Sequence, residues 1–330
     1  MPFACLKNLI LIAGLMLLAL PVWAAKVSME TATSNSVLGL LPQTMAPYWS
    51  RAGVDVELAT GQTLTKSLLK IGQDNLDSAV IPPLAYMGLS TGKGAYTRLG
   101  AEKGAEMAEH VRALFGFSSS FYHPIVWADS GIENWADLKG RKIYIGPPAG
   151  AANAQITALL KTAAGFEDGK DYEGIKAPWG VAIQGFRDGQ YDMVFSPQPL
   201  GSQALTELSL SRDIRILSLP ADTEPPASLG LITSTIPPDT YSGQVNKNET
   251  VTVWVTVMML AVNRDMAEDT AYTLTKTYFD NLDAARKAND LLKTVSADQR
   301  FDGVVAPLHA GAVRYYREQA IDIPAALLTE

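Results

Sequence analysis

The feature that most limits what this chain can fold into is the alternation of strand-like and helix-like segments that begins at Lys26. Residues 26–33 alternate apolar and polar side chains with the period of a strand. Residues 38–50 have helical spacing broken by Pro42 and Pro47, residues 54–59 alternate again, and residues 64–71 return to helical spacing. Residues 78–81 form a short strand stopped by Pro82-Pro83. Alternation of this kind predicts an α/β sheet with helices on both faces.

Residues 92–108 are Gly-rich, charged and aperiodic, and read as a surface excursion. A second series follows. Residues 111–116, 124–128, 142–145, 191–195 and 214–219 are strand-like, whereas 151–164, 181–187 and 200–209 are helix-like. Residues 223–248, rich in Pro, Asp, Ser and Gly, read as loops and edge elements crossing between lobes. Residues 251–262 are a β-branched apolar run around Trp254, long enough for a buried strand serving both lobes. Residues 265–288 and 309–319 are the last helices. With 330 residues and no internal repeat, two domains are expected. The boundaries read from the pattern are 1–25 as a signal peptide, 26–121 plus about 221–330 as lobe I, and 122–220 as lobe II.

The leader reading rests on Lys7, the apolar run 9–20 and a small-residue site at Val22-Trp23-Ala24. The run is shorter than the ~20 apolar residues a spanning helix needs. The one cysteine, Cys5, would leave with the leader, so the exported chain must be held by its core rather than by disulfides. Lysine plus arginine number 27 against 34 aspartate plus glutamate, for a net charge of −7. That balance argues against nucleic acid and anionic membrane surfaces as partners.

Catalytic motifs are thin. Gly88-Leu89-Ser90-Thr91-Gly92 matches G-x-S-x-G, but a nucleophile elbow needs a strand that turns straight into a helix. Here a helix-like stretch precedes the match and Lys93-Gly94-Ala95 follows it. A secreted serine hydrolase using Ser90 is therefore the alternative, not the expectation. His110, His123 and His309 are scattered, without the spacing of zinc ligands, so neither a metal nor a catalytic constellation is expected. Residues 146–153 lack both the dinucleotide fingerprint and the Gly-Lys-Ser/Thr of a phosphate loop, and no cofactor is called for.

What recurs instead is a set of uncharged loops rich in hydroxyls, amides and glycine at strand ends: 31–36, 59–63, 118–120, 146–153 and 196–198. Any one of them can be explained by helix capping. Together they suggest a ligand site outside the carboxyl ends of the strands.

Residues 111–166 (VRALFGFSSSFYHPIVWADSGIENWADLKGRKIYIGPPAGAANAQITALLKTAAGF) resemble the solute receptors of tripartite ATP-independent periplasmic (TRAP) transporters, in their TAXI subfamily. So do ATGQTLTKSLLKIGQ at 59–73, FRDGQYDMVF at 186–195, LTKTYFDNLD at 274–283 and PLHAGAVRYYRE at 307–318. The resemblance implies a two-lobed periplasmic binding protein, type II-like, with the ligand cleft between lobes. It implies a monomer that binds a small organic acid, a carboxylate or an amino acid, and delivers it to TRAP membrane permease subunits. A sensory module presenting the same ligand to a membrane receptor is equally compatible with the sequence.

Carried over by position, the resemblance marks Thr33, Ser34 and Asn35, Thr60, Gly61 and Gln62, and Gly146, Pro147, Pro148 and Gly150 as ligand-binding, and Ala151 beside them is a further candidate. The residues themselves suggest Asn153 as a side-chain donor to a carboxylate, Trp179 and Tyr122 as apolar walls, His123 aimed at the cleft by Pro124, and Ser196 at a strand end. Two departures, 37–41 in place of a tyrosine-rich stretch and 149–153 in place of hydroxyl residues, remove donors. They shift the expected ligand from glutamate-like toward a more apolar acid or a monocarboxylate.

Overall fold

The computed structural model describes residues 24–148, 151–226 and 229–329. Strands β1 (Ala25–Glu30), β2 (Val54–Ala59) and β3 (Ser78–Ile81) are parallel and joined through helices α1 (Val37–Arg51) and α2 (Leu64–Gly72). After α3 (Pro83–Thr91) and α4 (Ala101–Ala108) the chain enters β4 (Val111–Trp127). A second unit contains β5 (Lys142–Tyr144), α5 (Ala151–Ala164), β6 (Glu173–Ile175), α6 (Trp179–Arg187), β7 (Met193–Gln198), α7 (Gln203–Ser211), β8 (Ile214–Ile216) and β9 (Leu231–Ile236). Strand β10 (Val251–Asn263) returns to the first unit, which α8 (Glu268–Ala288) and α9 (Ala310–Glu318) complete. Among the described residues one continuous sheet runs β2-β1-β3-β10-β4-β7-β5-β6, with β8 beside β4 and β9 beside β10.

Two strands decide the architecture. β4 has 17 residues and β10 has 13, against about 5–6 for an ordinary strand, and the two pair antiparallel. Their ends belong to different cores. Phe115 and Phe117 of β4 and Met259 and Leu260 of β10 pack with Trp49, Tyr278 and Tyr316. Beyond them side chains alternate between the two faces of the sheet: Phe121 and Ile125 pack with Phe186 and Leu205 on one face, Tyr122 and Val126 with Trp135 and Leu160 on the other. One core serves the first lobe, and two serve the faces of the second.

The changeover falls at residues 118–120 and 256–258. Ser119 is an extra residue there, because Thr256 pairs with Ser120 while Val257 pairs with Ser118. Such a bulge bends a strand and raises its twist. The expectation of a loop at 118–120 is thus corrected: these serines lie inside a continuous strand. The second lobe boundary is corrected as well. β9, Tyr241 and Val251 to Val255 pack in the second lobe's cores, so the chain recrosses at 256–258, well after residue 221. The reason is that residues 223–248 hold an edge strand, β9, whose partner is β10.

The Thr256 hydroxyl fastens the bulge. It donates to the Ser120 carbonyl (3.1 Å), accepts from the Ser120 N–H (3.0 Å), and lies 2.8 Å from the Ser119 hydroxyl. Thr256→Val keeps the shape but strands a backbone N–H, and is expected to lower stability by about 1–3 kcal/mol in denaturant unfolding. An unchanged midpoint would show that the network does not hold the bulge.

Two local readings also change. α1 is continuous through Pro42 and Pro47. Pro42 has no N–H for the Leu38 carbonyl, and the buried Thr31 hydroxyl supplies the missing donor at 2.6 Å. Residues 92–108 are not simply an excursion, since α4 buries Gly104, Met107 and Ala108.

Candidate functional site

The register places the strand-end loops without reference to any side chain. Ile81, at the end of β3, pairs with Met259, and Gln198, at the end of β7, pairs with Phe121. Both carboxyl ends therefore stop close to the bulge, one from each lobe. Parallel alignment brings the ends of β1 and β5 to the same gap. Open α/β sheets bind ligands in such crevices.

A cavity of about 960 Å³ occupies the gap. One wall is α3 with its leading prolines, contributing Pro82, Leu84 and Met87. The floor is Thr256, Val257 and Met258 of β10, and the opposite side is Gln155 of α5 with Leu229 and Gly230. Gly303, behind the floor, has φ +68, and a Cβ there would come within 2.3 Å of a Val257 methyl, so the approach requires glycine. Gln155 is held at both ends of its amide: Oε1 accepts from the Tyr122 hydroxyl (2.7 Å), and Nε2 donates to the Leu229 carbonyl (2.9 Å). Lys93 is the charged residue among the lining residues, and its ammonium makes no ion pair among the described residues.

The start of α3 shapes the chemistry. A helix N-terminus ordinarily offers several free N–H groups to an anion. Here the N-cap and the first helical residue are Pro82 and Pro83, which have none, and the Ala85 N–H is taken by the Pro82 carbonyl (2.9 Å). Among the described residues only Leu84 of the first turn keeps a free backbone donor. On this side the cleft is an apolar wall.

A model of the NMT1-like family matches residues 82–320. The chain belongs to the NMT1-like family. Among solved structures it is similar to a putative sulfonate ABC transporter component, the periplasmic sulfonate-binding protein SsuA from Methylobacillus flagellatus KT. The TM-score is 0.52 at 12% identity, over 90% of this chain and 85% of that one. The aliphatic sulphonate-binding SsuA of Escherichia coli gives a TM-score of 0.47 at 13% identity, over 92% and 90% of the two chains. A TRAP periplasmic solute-binding protein from Rhodobacter sphaeroides gives 0.49 at 12% identity, over 89% and 94%. At its low identity the first similarity shows the fold alone, that of a two-lobed periplasmic binding protein.

None of the residues read from sequence as ligand-binding lines this cavity among the described residues. Thr33, Ser34, Asn35, Thr60 and Gly61 are exposed at the first lobe's strand ends, and Gln62 is half-buried there. The two loops are tied together, the N–H groups of Gly61 and Gln62 donating to the carbonyls of Ala32 and Thr31 (both 2.9 Å). Gly146 lies in the left-handed region at φ +92, ahead of Pro147 and Pro148. Gly150 and the side chain of Ala151 fall outside the described residues. Asn153 turns inward, donating its amide to the Ile145 carbonyl at 2.9 Å. Trp179 is 41% exposed beside this loop and meets Tyr144 edge-on at 5.7 Å.

Three expectations are corrected. Tyr122 is 2% exposed and packs in the second lobe, reaching the cavity only through its bond to Gln155. His123 is fully buried. Its Nδ1–H donates to the carbonyls of Phe121 (2.8 Å) and Ser196 (3.1 Å), and its Nε2 accepts from the Tyr241 hydroxyl (2.9 Å). Pro124 does extend the backbone, but in a strand successive side chains point to opposite faces, and that of His123 points into the core. Ser196, its partner across β4 and β7, is buried as well.

Ser90 lies inside α3, its hydroxyl donating to the Met87 carbonyl (3.1 Å), and the helix ends at Gly92 in the left-handed conformation. The histidines are engaged elsewhere: His110 with Asp74 (2.8 Å), His123 in the core, and His309 as the cap of α9.

Sequence reasoning missed Leu84, Met87, Gln155 and Met258. Pro82-Pro83 directly after a strand was the available signal, since that dipeptide forces a turn where the sheet meets the cleft.

Proposed function

We propose that the chain is an extracytoplasmic solute receptor. It binds a small organic acid in the cleft between its lobes, closes by bending at the bulge where β4 and β10 cross, and presents the closed form to a membrane permease. The observation that carries this reading is the 960 Å³ cavity seated over the paired crossover strands. Its size falls in the usual range for small-ligand sites, about 300–1,000 Å³. Two connecting strands that bend together permit a hinge, and ligand bound to both lobes selects the closed state. Closure would bring Thr33, Ser34 and Asn35 on one rim toward Gly146 and Trp179 on the other. Export by the leader, a monomeric state and a TRAP-type permease belong to the same proposal, supported by the leader pattern and the TAXI-like blocks at 59–73, 111–166, 186–195, 274–283 and 307–318.

The test is a thermal-shift panel of carboxylic, sulfonic and amino acids on the chain from Ala25 onward. A ligand at one hundred times its dissociation constant adds about 2.7 kcal/mol of stability. At least one acid is expected to raise the melting temperature, and Met87→Arg, which fills the cleft from a half-buried helix position, is expected to abolish that shift. Ester turnover lost in Ser90→Ala, with no acid binding, would replace the receptor by the hydrolase.

A further inference from the structure

The chemistry of the cavity wall narrows the ligand further, given the receptor reading above. Leu84 and Met87 of α3, Val257 and Met258 of the floor and Leu229 on the opposite side give the cavity a mainly apolar lining. Against it stand the Gln155 amide, already bonded at both ends, the hydroxyls of Thr91, Tyr96 and Thr256, each donating to a backbone carbonyl, the Thr65 hydroxyl, and one cation, Lys93. Lys93 sits between Gly92 and Gly94, both in the left-handed region, in an exposed turn at the edge of the cavity. Its side chain has no carboxylate within salt-bridge distance among the described residues, in a chain whose net charge is −7. The prolines that open α3 remove the donors that would hold a second anionic group deeper in.

We propose that the cleft is specific for amphipathic monoanions: acids with one anionic group, held at the rim by Lys93, and an extended apolar body lying on Leu84, Met87 and Met258. A short polar acid leaves this wall wet. A dicarboxylate places its second charge on a surface that offers no second cation to pair it, which is costly. Met87 and Met258 add tolerance for shape, because an unbranched thioether side chain repacks around different bodies.

The test is calorimetric titration of the leaderless chain with butanoate, hexanoate and octanoate, the dicarboxylate suberate, the neutral octan-1-ol, and glutamate. Affinity is expected to rise about fourfold per added methylene from butanoate to octanoate, equivalent to about 0.8 kcal/mol each. Suberate is expected to bind about a hundredfold more weakly than octanoate. Lys93→Gln should weaken octanoate about fivefold and leave octan-1-ol unchanged. Met87→Ser, at a half-exposed helix position, should flatten the chain-length series while its unliganded melting temperature stays put. If glutamate or suberate binds and the monocarboxylate series does not, the amphipathic specificity is overturned while the receptor stands. If none of these probes and none of the wider acid panel binds to cooperatively folded protein, both fall.

Discussion

Replacing Trp254 by alanine is expected to lower the unfolding free energy by about 3–5 kcal/mol, the usual cost of emptying a large buried aromatic site. Trp254 is fully buried in the middle of β10, packs in the second lobe's core with Tyr122, Trp135 and Leu231, and donates its indole N–H to the Thr223 carbonyl at 3.2 Å. The loss combines a cavity with one of the two hydrogen bonds to the Thr223 carbonyl, which keeps the Thr233 hydroxyl at 3.1 Å. It should also reach the first lobe, because β10 continues into that core through Met259 and Leu260. Equilibrium denaturant unfolding followed by both fluorescence and far-UV circular dichroism checks this. The expected result is one transition moved to lower denaturant. A first lobe melting at its wild-type midpoint, with only the second lobe weakened, would contradict the coupling through the long strands. Trp179→Ala is the control: its ring is partly exposed at the start of α6, and surface changes of that kind usually fall within about 0.5 kcal/mol.

The second large effect is on pH. Burial lowers the pKa of His123 from 6.5 to about 4, against the smaller opposing pull of the Ser196 and Phe121 carbonyls. The folded protein keeps this imidazole neutral, whereas the unfolded chain takes up a proton near pH 6.5. Between these values the unfolded state binds the extra proton, so stability is complete above pH 6.5 and is lost as pH falls toward 4. The expected loss is about 2 kcal/mol between pH 7 and pH 5, and on the order of 3 kcal/mol by pH 4. His309, whose pKa burial also lowers, adds to it with the same sign. Denaturant midpoints measured across that range test the assignment. In His123→Gln the slope should flatten even if the variant is less stable overall, and an unchanged slope would place the titration elsewhere.

The buried histidine also shows how far residue patterns reach. From sequence, His123 is a polar residue that the following proline extends and aims at the cleft. Its fate depends on β4 running unbroken from Val111 to Trp127, which in turn depends on partners far away in the chain: β10 on one side, β7 and β8 on the other. The hydroxyl run Ser118 to Ser120 looks like a turn because serine disfavours strands locally. Cross-strand bonds to Thr256 override that preference.

The sequence by itself determined the α/β class, the alternation of elements, the long buried strand around Trp254 and the use of two lobes. These depend on local periodicity and on the amount of apolar surface a chain of this length must bury, and both are written along the chain. Only the tertiary structure decided where the chain crosses between lobes, that Thr31 repairs the proline gap in α1, and that the cleft is walled by Leu84, Met87 and Met258. Those outcomes depend on register and on which residues distant in sequence meet. Periodicity says which face of an element is apolar; it does not say whether that face meets a core or lines an opening.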